Sequence, residues 1–122
     1  MNDYRCVTSA EGIREYIGSA DIVAFDSETA PDDPYRSEDR AALDPHRAHI
    51  AGCSYSVRPG TGMYVPVAHR AGVNIDRDEF LAFHMALVTD TKITKVCHNI
   101  AFESAFTYHL GTVIQPPVYD TM

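Results

Sequence analysis

The segment Asp21-Ile22-Val23-Ala24-Phe25-Asp26-Ser27-Glu28-Thr29 constrains this chain more than any other. Its apolar start lacks polar alternation, which is the pattern of a central strand buried on both faces. Such a strand needs helices packed on the sheet, and the flanking sequence offers them. Residues 10–17 carry Ile13, Tyr16 and Ile17 at i, i+3, i+4 spacing behind Thr8-Ser9, so a capped helix is expected there, ended by Gly18-Ser19. Residues 76–90 form the strongest helical pattern. Phe80, Phe83, His84, Leu87 and Val88 lie on one stripe, and Asp76, Asp78 and Glu79 favour its N-terminus. Residues 99–110, with Phe102, Phe106 and Leu110 in line and Gly111 after them, predict another helix.

Between these elements lie further strands. Residues 49–57 and 63–67 flank Arg58-Pro59-Gly60-Thr61-Gly62, which predicts a hairpin, and Pro66 suggests that its second strand is a sheet edge. Tyr55 and Tyr64 are expected to pack across it. Residues 92–97 and 113–119 read as two more strands, and Asp120-Thr121 as the cap of a further helix. The sum is an α/β fold with a mixed sheet of about five strands and flanking helices. A loop of about 17 residues, 30–46, is long enough to be functional or mobile; its acidic residues Asp32, Asp33, Glu38 and Asp39 read as solvated.

Composition narrows the class. At 122 residues the chain is one domain or part of one. No apolar run approaches the ~20 residues of a membrane span, and the first residues lack a signal-peptide pattern, so the expectation is a cytoplasmic protein with no membrane partner. Cys6, Cys53 and Cys97 contain no CxxC pair and read as reduced, small hydrophobes. The histidines, among them His46, His49, His84, His98 and His109, form no recognised zinc set. A net charge of −7 speaks against a simple nucleic-acid binder. Carboxylates gathered around divalent cations would reverse that field locally.

Such carboxylates are present. Asp26 and Glu28, one residue apart on a strand, project to the same side about 7 Å apart. Oxygen-only ligands of this kind suit Mg²⁺ or Mn²⁺, and the pair lies at the carboxyl end of a central strand, where open α/β sheets bind ligands. In His98-Asn99-Ile100-Ala101-Phe102-Glu103, Asn99 and Glu103 are i, i+4 on one face of a first turn, with Phe102 directed to the core. Glu103 is thereby a candidate third carboxylate, and Asn99 a cap or a substrate contact.

These segments, in this order, resemble a known family. Phe25-Asp26-Ser27-Glu28-Thr29 resembles the first motif of the DEDD (DnaQ-like) 3′–5′ exonucleases, and Asn99-Ile100-Ala101-Phe102-Glu103 the second. Val118-Tyr119-Asp120-Thr121-Met122 is similar to the segment that comes after it. Ala51-Gly52-Cys53-Ser54-Tyr55-Ser56 and Tyr64-Val65-Pro66-Val67-Ala68-His69 resemble the hairpin of the proofreading domain in family A, polymerase I-type DNA polymerases, phage enzymes among them. The resemblance covers residues 20–122, with 1–19 as a helical lead-in, and implies a ribonuclease H-like fold and a two-metal site. Asp26 would bridge both ions, Glu28 would bind one and help position the attacking water, and Glu103 would hold the other. Thr29, Asn99 and Phe102 would meet the substrate, the 3′ end of single-stranded DNA, with a polymerase domain in cis or in trans.

Two departures qualify this. The family carries Asp where this chain has Glu103, and the extra methylene is expected to weaken metal binding without abolishing it. The third motif, with the last Asp and its Tyr or His neighbour, lies beyond residue 122, so the expectation is a C-terminally incomplete domain of little activity. Two alternatives stay open. One is a non-catalytic remnant that binds metal or protein and self-associates through an exposed sheet; the other is a ribonuclease D-like enzyme acting on RNA.

Overall fold

The computed structural model describes residues 2–122. Six strands form one sheet: β1 (Asp3–Cys6), β2 (Ile22–Pro31), β3 (Ala48–Ser56), β4 (Thr61–Pro66), β5 (Thr94–Cys97) and β6 (Val118–Asp120). They lie in the order β1-β4-β3-β2-β5-β6. The three helices are α1 (Ala10–Ile17), α2 (Arg77–Thr89) and α3 (Ile100–His109). The sheet is mixed. β2 pairs with β3 and β3 with β4 antiparallel, while β1–β4, β2–β5 and β5–β6 are parallel.

Local chemistry explains the helix starts. Ser9 Oγ accepts from the Gly12 amide at 3.1 Å at the head of α1, and the Asp76 carboxylate accepts from Glu79 at 3.1 Å at the head of α2. Both helices form where periodicity and caps place them.

β1, which has no sequence signal, forms because Asp3–Cys6 runs beside Thr61–Tyr64 and completes the sheet past β4. Pro66 is therefore not on an edge strand. It is tolerated because the β1 ladder stops at Tyr64, so no neighbour on that side asks for its missing N–H. The last strand is shorter and later than expected. Tyr55 and Tyr64 also part company: Tyr55 pairs with Met63, which sends the two rings to opposite faces.

Three connections, β1-α1-β2, β4-α2-β5 and β5-α3-β6, join parallel strands and all move the same way across the sheet. Right-handed crossovers that share one direction put their helices on one face. Ile13 and Tyr16 of α1 and Phe80, Leu87 and Val88 of α2 accordingly share one core with Val23, Phe25 and Tyr55 of the sheet. Each large side chain buried there contributes about 1.5–3 kcal/mol. Burial of β2 on both faces is not observed: Val23, Phe25 and Ser27 are buried, while Ile22, Asp26 and Glu28 are exposed on the opposite side. That open face holds a concavity of about 570 Å³ lined by Asp26, Ser54, Tyr64, Val96 and His98 among others. No helix among the described residues is long and apolar enough to cross a membrane.

Candidate active site

Asp26 and Glu28 stand side by side on the open face, as strand alternation requires, and Ser27 between them points into the helical layer. The ladder to β3 slips by one residue directly after Glu28, so that Glu28 faces Gly52 and Thr29 faces Ile50. Ala51 is the extra residue, and its carbonyl accepts from both Val67 and Ala68 at 2.9 Å. A bulge of this kind re-aims the side chains beyond it. The Thr29 hydroxyl donates to the Ala42 carbonyl at 2.6 Å and ties the end of the strand to the long loop.

Gly52 makes room beside Glu28. A Cβ there would lie 2.0 Å from Tyr64 Oη, so the Tyr64 ring uses the space that a side chain would fill. Tyr64 Oη and His69 Nε2 share a hydrogen bond of 2.6 Å. Partial burial, and then the nearby Glu28 charge, push the Tyr64 phenol up. Tyr64 and His69 thus wall the site at Glu28. Sequence reasoning used them only as part of a hairpin, and the one signal for the contact was a glycine inside a strand.

Glu103 behaves differently from the expectation. Its spacing predicts a side chain facing the site with Phe102 in the core. Instead the buried stripe of α3 is Glu103, Phe106 and Thr107, with Glu103 only 1% exposed. Phe102 is half-buried against Phe106, ring centroids 5.0 Å apart. A carboxylate is tolerated inside because it is hydrogen-bonded. The Ser27 amide donates to Oε1 at 2.8 Å and the Ser27 hydroxyl to Oε2 at 2.7 Å. Burial raises the Glu103 pKa, the Ser27 donors oppose this, and the negative charge of Asp26 raises it further. Ser27, the strand neighbour of Asp26, thus holds Glu103 from the buried face, while Asp26 itself is exposed on the other.

The helix that carries Glu103 is held from both ends of its first turn. Asn99, with φ 80° in the left-handed region that Asn tolerates, accepts from the Phe102 amide at 3.3 Å. Asp120 accepts from the Asn99 and Ile100 amides at 2.9 and 3.0 Å. The Ile100 amide, followed by those of Met122 and Asn99, holds the Asp120 carboxyl below the usual range. Asp120 thus caps the first turn of α3. His98 Nδ1 meets Thr121 Oγ1 at 2.9 Å on the open face near Asp26.

Other polar residues lie elsewhere. Asp32 pairs with His49 at 2.8 Å, Glu38 with Arg47 at 2.5 Å and Asp33 with Arg36 and Arg70, so ion pairs pin much of the acidic loop. His46 and His109 sit edge to face, centroids 5.0 Å apart, beside a separate 370 Å³ pocket.

The donor set suits a hard divalent cation. Asp26 and Glu28 are exposed carboxylates on one strand face, and the Asp26 charge disfavours ionisation of Glu103, a repulsion that a cation would relieve. Among the described residues, however, no group of three His, Cys, Asp or Glu side chains is drawn together tightly enough to hold an ion.

This architecture is the fold of the DEDD 3′–5′ exonucleases, a ribonuclease H-like mixed sheet with flanking helices. In sequence, the chain is 30% identical over 128 aligned residues to DNA polymerase I of Pseudomonas aeruginosa, covering 98% of this chain and 13% of that protein. In structure, it is similar to Trypanosoma brucei RNase D in complex with RNA U12 (TM-score 0.69, 20% identity, 98% of this chain and 37% of that one). It is also similar to Brucella melitensis NrnC with bound Mg²⁺ (TM-score 0.59, 22% identity, 98% and 49%). The chain thus spans a small part of the polymerase and half or less of the nucleases. No family model matches it.

Proposed function

We propose that this chain is the part of a divalent-metal-dependent 3′–5′ exonuclease domain that carries its first two acidic motifs, acting on single-stranded DNA ends beside a polymerase domain. The observation that carries this reading is the placement of Asp26: it shares an exposed strand face with Glu28 and precedes Ser27, whose amide and hydroxyl hold the Glu103 carboxylate. Asp26, Glu28 and Glu103 would hold Mg²⁺ or Mn²⁺. When bound, such ions activate water and stabilise the leaving 3′-oxygen. The chain's own residues do the rest. Asp26 and Glu28 present oxygen ligands from a rigid strand, the Tyr64–His69 pair limits access at Glu28, and the open concavity leaves room for a nucleotide. Thr29, Asn99 and Phe102 are proposed substrate contacts through backbone or ring.

DNA is favoured over RNA by the greater sequence likeness to a DNA polymerase. An RNA substrate is favoured by the structural likeness to RNase D. The test is direct: 3′-labelled single-stranded DNA and RNA of one sequence are offered with Mn²⁺, and binding and release of mononucleotides are measured. DNA bound more tightly than RNA supports the reading, and RNA preference overturns its substrate. With three of the four carboxylates that the resemblance implies, residues 1–122 alone are expected to bind Mn²⁺ and DNA but turn over slowly. Robust Mg²⁺-dependent hydrolysis by them would refute that expectation.

A further inference from the structure

Ser27 belongs to no acidic motif, yet it makes two contacts that bear on the site. Its amide and its hydroxyl grip the two oxygens of Glu103 separately, at 2.8 and 2.7 Å. Ser27 is buried, as is Glu103. The grip comes from the residue whose two neighbours in the strand are Asp26 and a second exposed carboxylate, Glu28. It bridges elements 76 residues apart in the chain.

We infer that Ser27 is the positioning residue of the site, fixing the Glu103 carboxylate to the strand segment that carries Asp26 so that the two can share a divalent cation. The inference rests on the nuclease reading above. Three points of chemistry carry it. A carboxylate has about four acceptor positions on two oxygens, so one donor on each oxygen leaves lone pairs free for a cation. Two donors on different oxygens fix the plane of the carboxylate, which a single contact would leave free to rotate. The long Glu side chain is also what allows α3 to reach Ser27 across the strand while remaining near Asp26. The departure from the family's Asp and the presence of a hydroxyl at residue 27 then form one matched arrangement. Partners of this kind, one step behind the ligand, commonly alter metal affinity by about 10- to 100-fold.

The test is Mn²⁺ titration of the chain followed by electron paramagnetic resonance, on wild type, Ser27→Ala, Ser27→Thr, Glu103→Gln and the Ser27→Ala/Glu103→Gln double variant, each first shown to melt cooperatively. Ser27→Ala is expected to weaken Mn²⁺ binding roughly tenfold, and Ser27→Thr to restore most of it because the hydroxyl remains. In the Glu103→Gln background, Ser27→Ala should have no further effect, since the serine acts through that carboxylate. If Ser27→Ala binds Mn²⁺ as well as wild type, or more tightly, the positioning role is overturned. The same holds if its loss adds in full to that of Glu103→Gln. If Ser27→Ala fails to melt cooperatively, the Ser27→Thr titration decides alone: near wild-type affinity supports the role, and affinity as weak as that of Glu103→Gln overturns it. Asp26→Asn separates the two levels. Loss of Mn²⁺ in that variant with an unaffected Ser27→Ala removes Ser27 and keeps the nuclease reading, whereas no Mn²⁺ binding by wild type removes both.

Discussion

The carboxylate of Asp120, on the outermost strand, accepts a hydrogen bond from the Ile100 amide at 3.0 Å, so β6 fastens the first turn of the helix that bears Glu103. The same carboxylate also takes the Asn99 and Met122 amides. A residue that looks like the cap of its own following segment is the clamp of an earlier one.

From this clamp we expect Asp120→Ala to lower the melting temperature and to loosen α3 first. Hydrogen exchange should rise at Ile100–Glu103 before it rises in α2. Equal acceleration in both helices would show that Asp120 has no local role. Because this carboxyl titrates below its usual range, its contribution is present above the ordinary carboxylate pKa and fades as the solution becomes more acidic.

Asp26→Asn should weaken Mn²⁺ binding by at least roughly 100-fold, and Glu28→Gln by less, since by resemblance Asp26 would hold both ions and Glu28 one. Both changes lie at or near the surface and should leave the melting temperature within a few degrees of wild type. Calorimetric titration with Mn²⁺ measures the first claim and thermal melting the second. Unaltered affinity in Asp26→Asn is the outcome that contradicts the assignment.

His84 supplies a pH prediction. It is buried, stacked on Phe80 at 5.3 Å, and shares a 2.8 Å hydrogen bond with Tyr55. Burial lowers its pKa from 6.5 to about 4. The unfolded chain therefore takes up a proton that the folded chain refuses, and stability declines as pH falls from 6.5 towards 4. The loss attributable to this residue is about 3 kcal/mol. Urea unfolding at neutral pH and at pH values inside that window, for wild type and His84→Gln, measures it; a variant with an undiminished slope would contradict the assignment.

Gly52→Ala should destabilise the fold by about 1–3 kcal/mol, the usual range for overpacking. The new methyl would meet the Tyr64 ring and lie 3.0 Å from the Val65 carbonyl. Tyr64 should then leave His69, which a change in the Tyr64 absorbance titration would report. Adding Tyr64→Phe, which removes the nearest oxygen, should recover part of the loss.

Much of the fold was legible. Ser9 and Asp76 announced two helices, the glycine-rich turn announced the hairpin, and strand alternation alone put Asp26 and Glu28 on one face. The features that escaped were decided by distant partners. β1 is four residues with no apolar pattern and exists through its pairing with Thr61–Tyr64. The burial of Glu103 depends on donors 76 residues away, which no helical periodicity encodes, so the stripe of α3 was assigned to Phe102. The parting of Tyr55 and Tyr64 comes from a register one residue away from the expected pairing. The open face also escaped, because the run at Ile22–Phe25 is apolar on both sides and only the shared direction of three crossovers decides which side is covered.

The slip in the ladder after Glu28 has a consequence for how such a domain can vary. Before it, β2 and β3 keep strict parity, and any inserted residue would turn Asp26 and Glu28 away from the solvent. After it, parity has already been broken once, at Ala51. The tether from Thr29 to Ala42 then lets the following loop lengthen, shorten or change composition while the acidic face stays oriented. Divergence among related chains should therefore concentrate on the far side of that irregularity and spare the near side.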